Sequence, residues 1–179
     1  MPSPLGHYTL AYLIHRVERR LSLPALLIGS VLPDLDIILA ILTDGLWMRG
    51  LFHSIIGGGM IVAFLSIPVT VHLYPLIASL FVRMRREDLR RECGSARVIF
   101  ASSLLGGLSH VLVDSTCHNY NPLFYPIVKE SVDFLLLPYD WDVSYAMVEA
   151  TLLTTFLIII AFNLRREDCK GFWRRMLLG

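Results

Sequence analysis

Three stretches of this chain, 54 to 82, 98 to 114 with a short polar extension, and 144 to 164, are apolar over lengths that water-soluble folds rarely use. A helix needs roughly 20 apolar residues to cross the ~30 Å hydrocarbon core of a bilayer. Within that core only a helix or a closed barrel satisfies its own backbone. The three runs therefore set the fold class: an all-α integral membrane helical bundle, with residues 1–179 forming a single membrane-embedded domain. Composition agrees, since 55% hydrophobic and 17% charged residues, with a mean hydropathy of +0.59, lie well off the soluble average. The first run carries Pro68 and Pro75, which predict a kink or tilt. Its Gly57-Gly58-Gly59 permits close helix contact.

The region 5 to 47 is less regular. It reads as an amphipathic piece, LGHYTLAYLIHRVERR, an apolar piece, LSLPALLIGSVL, the polar interruption PDLD, and a second apolar piece, IILAILTDGLW. Two or three short helices broken at Pro24 and Pro33 are expected, bringing the total to about four spans plus short N-terminal helices. Arg16, Arg19 and Arg20 ahead of an apolar run imitate a signal peptide. Pro33-Asp34-Leu35-Asp36 stands where small residues would permit cleavage, so the N-terminus is expected to be retained.

The formal net charge of +1 conceals segregation, because all but two of the 16 basic residues are arginines and most fall in three short stretches. The segment 83 to 97 holds six arginines, the tail RREDCKGFWRR four arginines and a lysine, and VERR closes the first piece. Excess Lys and Arg near span ends mark the cytoplasmic side, so these three segments are expected there, in a multi-pass protein of the cytoplasmic membrane. TDGLWMRGLFH and the loop from Ser115 to Asp142 carry only Arg49 and Lys129 as cations and are expected to face outward. That loop adds Tyr120, Phe124, Tyr125, Tyr139 and Trp141, suited to an interfacial belt or a pocket rim. Nucleic acid is excluded as a partner by this distribution, whereas anionic lipid or a cytoplasmic partner suits the arginine-rich loop. Cys93, Cys117 and Cys169 are too few and scattered for a disulfide framework or a cysteine-rich zinc site.

Ionisable groups inside or at the edge of spans are expensive and point to function. With the arginines at one end, His7, Asp34, Asp36, His53, His110, Asp114 and His118 can all converge at the other. His110 and Asp114 are i, i+4, one turn apart on a helix face, a chelating spacing. His118 continues the series at i+8 if the helix persists, or swings in from the loop if it does not. Imidazole and carboxylate together suit zinc, with manganese or iron as alternatives. One or two divalent ions held by His7, Asp36, His53, His110, Asp114 and His118 are expected. In PDLD, Asp36 is the expected ligand, while Asp34 serves as helix cap, ligand or general base. Arg49, four residues before His53, can clamp a phosphate or carboxylate, or it can snorkel at the interface. Ser54 can orient a water. His15 and His72 fall outside the constellation, His72 as an interhelical hydrogen bonder, and Glu149 stands behind it. Ser115 and Cys117 neighbour histidines, but neither sits in an activating turn for a nucleophile.

GHYTLAY, GSVLPDLD, RGLFHS and SHVLVDSTCHNYNPLFYP, in that order, resemble the membrane-bound metal-dependent hydrolase family, also described as LexA-binding inner-membrane hydrolases. The likeness covers nearly the whole chain except the arginine-rich loop and tail. It implies a metal site and hydrolysis. More distantly, the order His, Asp, His, then HxxxD and a further His is similar to zinc-dependent phospholipase C and the P1-type nucleases. That likeness implies phosphoester hydrolysis at His7, Asp34 or Asp36, His53, His110, Asp114 and His118. Two departures stand out: Met48 where the family often has a histidine before the arginine, and only Glu149 where the phospholipase pattern has a later His and Glu pair. The expectation is a phosphoesterase acting on a lipid or lipid-linked substrate, with Asp34 or Asp36 as base and Arg49 on the anion. The rivals are a proton- or cation-coupled transporter, for which the inner half of the spans offers only His72, and a membrane scaffold.

Overall fold

Serine starts four of the helices. In the computed structural model, which describes residues 3–42, 50–134, 140–166 and 169–179, Ser3, Ser22, Ser54 and Ser95 stand at N-caps on extended backbone. Each side-chain oxygen accepts from an amide of the first turn, a donor with no partner within its own helix. The helices are α1 (Pro4–Val17), α2 (Leu23–Val31), α3 (Leu35–Leu42), α4 (Ile55–Ala78), α5 (Arg86–Glu92), α6 (Ala96–Ser115), α7 (Trp141–Arg166) and α8 (Cys169–Leu178). Short 3-10 turns at Leu32–Asp34 and Leu51–His53 lead into α3 and α4. No strand occurs among the described residues.

One expectation changes. The chain breaks between Val17 and Leu23, ahead of Pro24. That proline sits in the first turn of α2, where a missing amide costs nothing. Pro33 does mark a break, in the 3-10 turn between α2 and α3. Among the described residues three helices, α4, α6 and α7, are long and apolar enough to cross a membrane, and they are the three runs that qualify on length in the sequence. The further apolar piece, Leu23–Asp34, reaches only ~18 Å at about 1.5 Å per residue, short of the hydrocarbon core. It lies along α6 instead. α4 is irregular as its prolines predict, with π-type winding at Ile55–Ile61 and Val69–Leu73 and Pro68 between them.

α2 and α6 run parallel in a fixed register. The Ser22 amide donates to Ser102 Oγ at 2.9 Å and His110 Nδ1 to the Ser30 carbonyl at 2.8 Å, each pair 80 residues apart. The same offset sets Asp34 level with Asp114. α1 returns antiparallel to α2, since His15 bonds the Leu21 carbonyl while His7 stacks on His110. α7 follows α1 in the same sense, from Glu149 accepting the Ser3 amide to Asn163 bonded to Tyr12. α4 runs against α6, with Phe64 on Phe100 at a ring separation of 4.8 Å. Each of these helices thus has one end at the histidines and aspartates and the other near arginines.

Glycine allows this packing. A Cβ on Gly107 would strike the Gly58 carbonyl, one on Gly106 the Leu26 carbonyl and one on Gly29 the Ser103 backbone, so α2, α4 and α6 meet backbone to backbone. At the arginine end Ala25, Tyr74, Ala78, Leu89, Cys93 and Ile99 form a core against which Leu177 and Leu178 of α8 pack. The Tyr74 and Tyr8 hydroxyls donate to the carbonyls of Leu177 and Met176, pinning α8 to the bundle. Gly107→Ala is expected to destabilise the protein by about 1–3 kcal/mol through overpacking, read as a lower unfolding temperature in detergent. Gly50→Ala, whose Cβ would meet nothing within 4 Å, is expected to leave it unchanged.

Candidate metal centre

The two central histidines each have one nitrogen already committed. His110 Nδ1 donates to the Ser30 carbonyl at 2.8 Å, and a carbonyl can only accept, so the proton of neutral His110 lies on Nδ1. His53 Nδ1 donates to Asp36 Oδ2 at 2.7 Å. In their neutral forms both Nε2 atoms therefore present lone pairs, and these two nitrogens stand 3.4 Å apart. Two lone pairs facing each other in a dry interior repel unless a proton or a cation lies with them. Hydrogen bonds of this kind behind ligating imidazoles fix ring orientation and raise ligand basicity.

Carboxylates complete the cluster. Asp34 Oδ1 lies 3.4 Å from His110 Nε2 and 3.9 Å from His53 Nε2, and Asp114 Oδ2 lies 3.7 and 3.5 Å from the same atoms. Donors about 2.0–2.1 Å from a tetrahedral ion stand ~3.3 Å from one another, so these separations fit ligation after small adjustments. His7 is fully buried and stacks on His110 with ring centroids 4.1 Å apart. Neither of its ring nitrogens has a hydrogen-bond partner among the described residues. A buried imidazole without partners is costly, and a cation removes that cost. Among the described residues three overlapping groups could hold an ion: Asp34, His53 and His110; His7, His110 and Asp114; and Asp114, Cys117 and His118.

The structure thus brings together His7, Asp34, His53, His110, Asp114 and His118. Asp36 lies behind His53, 3% exposed, and belongs to none of the three groups; the separation of its role from that of Asp34 depends on the α2–α6 register, which the PDLD spacing cannot reveal. Asp34 is the more open carboxylate at 17%. α6 ends at Ser115, so His118 arrives from the loop and not at i+8 on a continuing helix. Its carbonyl accepts from Asn121 Nδ2 at 2.8 Å, and that amide also bonds Asp133, which fixes the loop. Ser54 is an N-cap that also donates to the Leu51 carbonyl. Glu149 anchors the start of α1. His72 is exposed on α4 and makes no hydrogen bond among the described residues, contrary to the interhelical bond expected of it. Arg49, Met48 and Tyr139 lie outside the described residues. Sequence reading passed over Cys117 as a ligand, although its i+3 spacing from Asp114 was visible. The Ser30 carbonyl had no side-chain signal.

Burial disfavours charge on His53, but Asp114 and Asp36 outweigh it and push the imidazole up to about 9. Proton and cation therefore compete for this nitrogen.

A helical membrane protein with a buried histidine and aspartate centre at one end of its spans is what fold and site define. The family model for the YdjM inner membrane protein matches residues 5–175, and the chain belongs to that family. No curated protein and no solved structure shows a significant match.

Because His53 must lose its proton to ligate, apparent metal affinity is expected to rise about tenfold per pH unit up to about pH 9 and to weaken on acidification. Metal titrations between pH 6 and 9 in buffers of different protonation enthalpy would read both affinity and proton release. Asp36→Asn is expected to weaken affinity by about 10–100-fold without removing a ligand, as measured by chelator competition.

Proposed function

We propose that this protein is a membrane-bound metal-dependent hydrolase, a phosphoesterase acting on a lipid or lipid-linked substrate. The observation that carries this reading is the pair of Nε2 atoms 3.4 Å apart, with each Nδ1 committed elsewhere and two carboxylates within reach. His53, His110, Asp34 and Asp114 would hold one ion or share two, with His7 and His118 completing the donor set. Imidazole and carboxylate suit zinc first, and manganese or iron as well. A divalent cation of this class supplies Lewis acidity and acidifies water.

The chain's own residues divide the remaining work. Asp36 and the Ser30 carbonyl hold His53 and His110 in one tautomer each. Asp34 has the solvent access that a general base needs, whereas Asp36 is shut behind His53 and orients it. Arg49, four residues before His53 in sequence, would bind the anionic group of the substrate. A lipid phosphoester would suit this location, because His53 lies just ahead of α4 and Asp114 in the last turn of α6, at the ends of two candidate spans. The exposed arginines 83, 85, 86, 90, 91 and 97 favour the cytoplasmic face for the opposite end, against anionic lipid or a cytoplasmic partner, with the centre facing outward.

The full chain purified in detergent is expected to carry zinc or manganese in stoichiometric amount, and His110→Ala and Asp114→Ala to lose it. Asp34→Asn is expected to lower hydrolysis of vesicle-borne phosphoesters by about 10²–10⁴-fold. Elemental analysis and phosphate or headgroup release check both. Protein that takes up no divalent ion, or that releases nothing from any lipid phosphoester when loaded, would overturn the reading.

A further inference from the structure

The Asp114 end of the centre contains a donor that imidazole and carboxylate chemistry leaves unused. Cys117 is fully buried, and its Sγ and donor atoms of Asp114 and His118 lie within 4.8 Å of one another. Local folding explains why they meet. α6 stops at Ser115, and the Cys117 amide closes the turn on the Asp114 carbonyl at 3.1 Å. Asp114 on the last helical turn, and Cys117 and His118 beyond the helix, are thereby folded toward one point. Asn121, buried in the following loop, holds the His118 carbonyl from below. The thiol directs its hydrogen at the carbonyls of Val113 and Asp114, at 3.4 and 3.7 Å, contacts of the weak kind a thiol makes.

We infer that Asp114, Cys117 and His118 form a second metal subsite with sulfur, nitrogen and oxygen donors, beside the subsite of Asp34, His53 and His110. This inference rests on the reading that the centre holds metal. The two subsites differ in chemistry. Thiolate selects zinc or another borderline-soft ion, whereas the nitrogen and oxygen set accepts manganese or iron equally well. On binding, the Cys117 S–H bond breaks heterolytically, its proton passes to solvent and the sulfur donates an electron pair, with no change of oxidation state. Asp114, shared with the His7 and His110 group, sits where the subsites adjoin.

Cobalt(II) loading of the purified full chain tests this without any assay of activity. The wild type is expected to show a near-ultraviolet thiolate-to-cobalt charge-transfer band. Cys117→Ser is expected to lose that band and about one bound ion per chain, while retaining the cobalt held by imidazole and carboxylate. A Cys93→Ser, Cys169→Ser double variant, with Cys117 as its remaining thiol, is expected to keep the band and decides the matter even if Cys117→Ser fails to fold. X-ray absorption on the zinc form should show sulfur at about 2.3 Å beside lighter donors at about 2.0–2.1 Å. Cobalt uptake without the band, or a band that survives Cys117→Ser, overturns the sulfur subsite and leaves the metal centre standing. No uptake at all overturns both.

Discussion

The parallel register of α2 on α6 is the constraint on which the rest depends. Ser22 with Ser102 and Ser30 with His110 repeat one offset of 80 residues, and that offset carries Asp34 to the level of Asp114. Backbone contact at Gly29 and Gly106 makes the register tight, because neither helix has side chains there to slide on. Lipid offers apolar surface no driving force for association, so such packing and a few polar bonds between helices have to hold the bundle. One hydrogen bond serves both ends of the argument: His110 Nδ1 to the Ser30 carbonyl links the helices and sets which ring nitrogen faces the centre.

The polar cluster and the arginine end are complementary halves of one design. At the arginine end, α5 and α8 are fastened by apolar packing and by tyrosine hydroxyls bonded to carbonyls of α8. At the other end, buried imidazoles and carboxylates replace apolar packing. Such groups are tolerated when they satisfy one another or hold an ion. His7 is buried with both nitrogens unbonded among the described residues, and a bound cation would remove the cost of that burial.

Much of this was legible in the chain itself. His110 and Asp114 at i, i+4, the PDLD break and the segregation of arginines each follow from local spacing or from the cost of charge in lipid. What escaped local reading depended on distance in sequence. The place of Leu23–Asp34 along α6 depended on packing, because an apolar run too short to cross can be buried against a neighbour. His118 depended on where α6 stops, and Cys117 on a turn closed just beyond that stop.

Sequence by itself determined that this protein is helical, that it lies in a membrane, and that its histidines and aspartates gather away from its arginines. Hydrophobic length and the cost of buried charge act residue by residue, so they can be read along the chain. Tertiary structure alone decided that Asp34 reaches His110 while Asp36 stands behind His53. The two carboxylates are only two residues apart in the same motif, and only the register between helices distinguishes the atoms they meet.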